Sequence, residues 1–179
     1  MKKITRYAAI GVVSVSLIGA AVCGLGYAAG LRINTTKSIP VGLYKISDKT
    51  PEKGDYVIFC PPQREIFSMA QQRGYIGSGF CPGGYGEMMK RILAAKGDEV
   101  AFRNDGIYVN GTLLPYSKPL SADPGGRPLP MIRELYTLSK NEILLMTDQS
   151  PSSFDGRYFG SVTTSQIKSK VIPLFTWRK

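Results

Sequence analysis

Met88-Met89-Lys90-Arg91-Ile92-Leu93-Ala94-Ala95-Lys96-Gly97-Asp98 alternates, and as a strand it sets Met88, Lys90, Ile92 and Ala94 on one face. That face is apolar, so a strand here desolvates the lysine. Strand signals continue on both sides. Leu43 to Ile46 and Tyr56 to Phe59 read as strands, the second entered through Lys53-Gly54-Asp55. Downstream, Glu99 to Arg103, Ile107 to Val109 and Thr112 to Leu114 are separated by Asn104-Asp105-Gly106 and Asn110-Gly111, the turn residues of tight hairpins. Glu142 to Thr147 adds a further strand. Only Gln63 to Arg73, with Ile66, Met69 and Ala70 at helical spacing, reads as a helix. Ser121 to Pro130, rich in Pro and Gly, reads as a surface loop or a flexible edge. The fold class expected is mainly β.

The N-terminus has a different character. Lys2, Lys3 and Arg6 precede 25 uncharged residues, Tyr7 to Leu31. At about 1.5 Å per residue a helix of this length exceeds the ~30 Å hydrocarbon core of a bilayer. A cleaved signal peptide is the competing reading, since Gly26 and Ala28 make a passable small-x-small site, but its apolar core runs only about 7 to 15 residues. An uncleaved anchor is favoured. The chain then divides into a cytoplasmic 1–6, a membrane span 7–31 and one exported domain, 32–179. The preceding positive charge keeps the N-terminus in the cytoplasm, although Arg32 and Lys37 weaken the asymmetry.

Cysteine usage agrees with export. Cys23 lies in the span, leaving Cys60 and Cys81 in the body with 20 residues between them. In an oxidising compartment they can pair, worth about 3 kcal/mol by loop closure; two buried thiols are the alternative. Two cysteines without histidine are too few for a zinc site, and no cofactor is expected. The net charge of +10, from 23 basic and 13 acidic residues, is scattered without a nucleic-acid motif. Anionic headgroups beside the anchor are a simpler partner than nucleic acid.

The chain contains no histidine. A serine nucleophile would therefore need another activator, and a lysine base must come down from about 10.4 to near 7, which costs about 4 kcal/mol. Ser38, in Ser38-Ile39-Pro40-Val41-Gly42-Leu43-Tyr44, and Lys90 are the candidates. The Ser38 amide is a ready donor for the oxyanion formed on attack. Ser165-Gln166-Ile167-Lys168 also fits an S-x-x-K pattern, but no Ser-Asp-Asn or Lys-Thr-Gly accompanies it, and it reads as surface sequence.

Four blocks in one order carry a resemblance. They are Asn34-Thr35-Thr36-Lys37-Ser38-Ile39-Pro40-Val41-Gly42-Leu43-Tyr44, Lys53-Gly54-Asp55-Tyr56-Val57, Met89-Lys90-Arg91 through Gly97-Asp98-Glu99-Val100, and Ser152-Ser153-Phe154-Asp155-Gly156-Arg157-Tyr158-Phe159-Gly160. Together they resemble the bacterial signal peptidase superfamily of Ser-Lys proteases (peptidase S26), and within it the conjugative-transfer, TraF-type branch. The resemblance implies a signal-peptidase-like β fold behind one transmembrane helix, with Ser38 as nucleophile and Lys90 as base. It also implies Thr36 as the second oxyanion donor, Ser153 as the residue orienting the lysine, and Asp155 paired with Arg157 in support. Lys96 stands where the family usually has proline, Thr147-Asp148-Gln149 replaces Gly-Asp-Asn, and Gly156 replaces serine.

What the resemblance implies for function is an inner-membrane serine endopeptidase facing the periplasm. Its substrate would be an exported precursor, a conjugative propilin, with head-to-tail cyclisation of the product and pilus assembly proteins as partners. A general signal peptidase and a non-catalytic scaffold of the mating apparatus are the rival readings.

Overall fold

The computed structural model describes residues 2–177. Helix α1 spans Lys2–Ala28, and its segment Ile10–Ala28 is long and apolar enough to cross a membrane. The helix stops before the apolar run does. Ala29 N–H donates to the Leu25 carbonyl, and Gly30, at φ +83°, takes the left-handed conformation that ends helices. Leu31 therefore opens strand β1 (Leu31–Asn34) rather than closing the span.

There follow β2 (Gly42–Ser47), β3 (Tyr56–Phe59), α2 (Glu65–Gln72), β4 (Ser78–Cys81) and β5 (Met88–Ala94). Next come β6 (Glu99–Arg103), β7 (Gly106–Val109), β8 (Thr112–Leu113), β9 (Leu135–Thr137) and β10 (Glu142–Met146). Helix α3 (Gly156–Phe159), β11 (Val162–Thr163) and β12 (Ile167–Thr176) complete the chain. Two antiparallel sheets result, one ordered β1-β2-β12-β3-β5-β10-β11 and the other β8-β7-β6-β9. The protein is mostly β, as its sequence suggests.

Burial along β5 alternates strictly, with Met88, Lys90, Ile92 and Ala94 inside. Strand β10 is buried on both faces. Ile143 and Leu145 join Phe59, Phe67 and Phe159 under α2, while Leu144 and Met146 meet Val100, Phe102 and Ile107 of the smaller sheet. Each such side chain contributes about 1.5–3 kcal/mol of hydrophobic stabilisation.

The longest strand escapes the sequence reading. β12 absorbs part of the Ser165 to Lys168 stretch read above as surface sequence. Pro173, which lacks an N–H, argues against a central strand. The sheet accommodates it because β3 pairs with β12 only as far as Val171, and the register against β2 shifts between Pro173 and Phe175. Ser121 to Pro130 contains no strand, yet it is tied down. The Asp123 carboxylate accepts hydrogen bonds from the Gly125 and Arg127 amides and from the Tyr75 hydroxyl.

Candidate active site

Ser38 sits in the turn joining β1 to β2, a hairpin whose last paired residues are Asn34 and Gly42. Lys90 lies mid-strand in β5 opposite Val57 and is only 3 % exposed. Ser153, buried in the segment between β10 and α3, stands between them. Lys90 Nζ is 3.1 Å from Ser153 Oγ, and Ser153 Oγ is 3.2 Å from Ser38 Oγ. Two hydroxyls and one amine, from segments 115 and 63 residues apart in sequence, thus form a connected chain.

Burial is the main influence on Lys90 and brings its pKa down to about 8; Asp155 opposes the shift and Arg157 assists it. The sign for activity follows directly, since a base must be deprotonated. With a peptide substrate, kcat should rise through about pH 8 and level off above it. A profile that instead falls through that range would exclude Lys90 as the base.

Asp155 and Arg157 are both fully buried. Two parallel bonds join them, Nε to Oδ1 at 2.8 Å and Nη2 to Oδ2 at 2.9 Å. An extended chain would also bring residues two apart onto one face, but the pair forms differently here. Asp155 is extended and caps α3 by accepting the Arg157 amide, while Arg157 is already helical. Oδ2 of Asp155 also accepts the Thr147 amide, and Arg157 reaches the carbonyls of Ser150 and Pro151. The pair thereby fixes the loop that presents Ser153.

Thr36 lies beside Ser38 in a cleft of about 340 Å³ walled by the turn that holds Ser38, Met88 to Lys90 and Tyr75 to Gly77. Its hydroxyl is 2.9 Å from Asn34 Oδ1, which accepts its proton. The third wall was not legible from composition. It belongs to the excursion between Cys60 and Cys81, whose sulfurs are bonded with Cα atoms 5.4 Å apart. The blocks around Gly54 and Gly97 also meet in space. Lys53 Nζ lies 2.8 Å from Asp98 Oδ2, which also accepts the Ala95 amide, so these residues brace turns flanking β5. No cluster of His, Cys, Asp and Glu able to hold a metal occurs among the described residues.

A hydroxyl linked through Ser153 to a buried amine, beside a cleft, is an arrangement suited to peptide-bond attack. The family model for signal peptidase, peptidase S26, matches residues 4–177, and the chain belongs to that family. Among curated relatives, a plasmid transfer protein TraF of Escherichia coli is 56 % identical over 99 % of this chain and 100 % of its own length. A conjugal transfer protein TraF of Agrobacterium fabrum is 33 % identical over 94 % of both. A signal peptidase I of Bacillus caldolyticus is 31 % identical over 48 % of this chain and 51 % of its own.

Proposed function

We propose that the chain is a single-pass inner-membrane serine endopeptidase of the conjugation machinery, anchored by α1, with its 32–179 body in the periplasm. The observation that carries this reading is the connection from Lys90 Nζ through Ser153 Oγ to Ser38 Oγ. The proposed substrate is an exported propilin, which the full-length similarity to plasmid and conjugal transfer proteins supports. The similarity to a signal peptidase I covers about half of each chain, which favours the specialised enzyme over a general one.

In the reaction, the Ser38 hydroxyl proton passes toward Lys90 as Oγ bonds the scissile carbonyl carbon. The Ser38 amide, free of any partner among the described residues, faces the developing oxyanion. Collapse breaks the peptide bond, and the leaving amine takes the proton from Lys90. The resulting ester is then resolved by water or by an amine. A substrate N-terminus held beside the ester outcompetes water through the high effective molarity of an oriented partner.

The test is intact-mass analysis of the candidate pilin from cells carrying the wild-type or the Ser38→Ala protein. The expected wild-type product lacks a free amino terminus and is about 18 Da lighter than the linear cleaved chain, because its own amine resolves the ester in place of the water that hydrolysis would add. Only linear product would remove cyclisation and leave the peptidase. Full processing with Ser38→Ala would remove both, and many unprocessed exported proteins in a deletion strain would favour the general signal peptidase.

A further inference from the structure

The nucleophile turn has an unusual support. Among the described residues, no backbone-to-backbone hydrogen bond ends within residues 35–40. What fills the turn instead is the side chain of Asn34, only 4 % exposed. Its Nδ2 shares two protons among the carbonyls of Thr36 at 2.7 Å, Ile39 at 3.0 Å and Pro40 at 3.1 Å. Its Oδ1 accepts the Thr36 amide at 3.2 Å and the Thr36 hydroxyl at 2.9 Å. Tyr44, fully buried, donates its hydroxyl to the same Pro40 carbonyl from β2.

From this we infer that Asn34 is the positioning residue for the nucleophile: one side-chain amide substitutes for the missing backbone bonds and sets where Ser38 Oγ and the Ser38 amide point. The inference rests on the serine peptidase reading and adds to it a residue that acts through the turn holding Ser38. The chemistry requires an amide. Only a group with donors and an acceptor on one planar head can satisfy carbonyls on one side of the turn and an N–H on the other. Carbonyls drawn inward toward Asn34 leave the Ser38 amide unpaired and able to serve the oxyanion. The same contacts commit the Thr36 hydroxyl hydrogen bond to Asn34, so Thr36 can donate to the oxyanion only by releasing it.

The experiment compares Asn34→Ala and Asn34→Asp with wild type, using a peptide spanning the junction mapped by the pilin masses. Asn34→Asp fills the same space and keeps the acceptor but has no donors. Both variants should lose about 100-fold in kcat, the cost of a misplacement of about 1 Å, with KM changed less than about threefold. For Asn34→Ala the kcat midpoint should stay near pH 8, because Lys90 is untouched. Amide exchange gives a readout independent of turnover: the Thr36 amide should be protected in wild type and lose protection in Asn34→Ala, while β5 and β10 are unchanged. Near-wild-type kcat in Asn34→Asp would reduce Asn34 to a space filler and overturn the inference. So would an unprotected Thr36 amide in wild type, or global unfolding of both variants. If Ser38→Ala is inactive in the same assay, such a failure leaves the peptidase reading standing; if Ser38→Ala turns over peptide, the reading and the inference fall together.

Discussion

Ser38→Ala and Lys90→Ala should each reduce processing by at least about 10⁴-fold while leaving the protein folded and in the membrane fraction. Ser38 is only partly buried, and Lys90→Ala removes a side chain whose charge is disfavoured where it lies, as its lowered pKa records. On the proposed assignment the two losses should not add, because a nucleophile and its base act as one unit. Lys90→Arg should fail equally, since a guanidinium keeps its proton near neutral pH. Accumulated precursor in each strain, with enzyme levels checked by immunoblot, is the measurement. Mature pilin made by either Lys90 variant would eliminate the Ser-Lys assignment.

Arg157→Ala should be the most damaging substitution outside that pair. It strands the fully buried Asp155 carboxylate and frees the carbonyls of Ser150 and Pro151. Breaking a buried pair from one side typically costs 3–5 kcal/mol, or roughly 10 °C in the thermal midpoint of a domain this size. The variant also has a kinetic signature that general destabilisation lacks. Asp155 raises the Lys90 pKa and Arg157 lowers it, so losing the arginine moves both influences upward. In whatever fraction remains folded, the kcat midpoint should lie above about pH 8. A midpoint at or below the wild-type value would mean that Arg157 does not shield Lys90 from Asp155.

The sequence exposes its local patterns better than its long-range joins. The alternation of Met88 to Ala94 announces both strand and buried lysine, and Tyr56 to Phe59 and Glu99 to Arg103 coincide with observed strands because alternation is a property of neighbouring residues. β12 is hidden because Pro173 contradicts local propensity, and only its partners show that the missing donor is tolerated. Asn34 stands in plain view in the first block, yet its role depends on a folded turn in which five polar atoms converge. Gly156 looks like a departure of unknown meaning where the family has serine. In the fold, a Cβ there would come within 2.7 Å of Leu144 Cδ1 and 2.9 Å of the Leu145 carbonyl, so the close approach of α3 to β10 requires glycine.

The strand order carries a further consequence, in time rather than space. The β1–β2 hairpin holds Ser38, and β3 and β5 hold Lys90, but within the sheet these halves touch only through β12. The seam is close: a Cβ on Gly42 would collide with the Phe175 carbonyl. β12 is also the last of the described strands in chain order. Until residues 167–176 are made, Ser38 and Lys90 belong to separate, unjoined pieces of sheet. On the proposed assignment, activity waits for the closing of this one strand, which joins the two halves of the sheet.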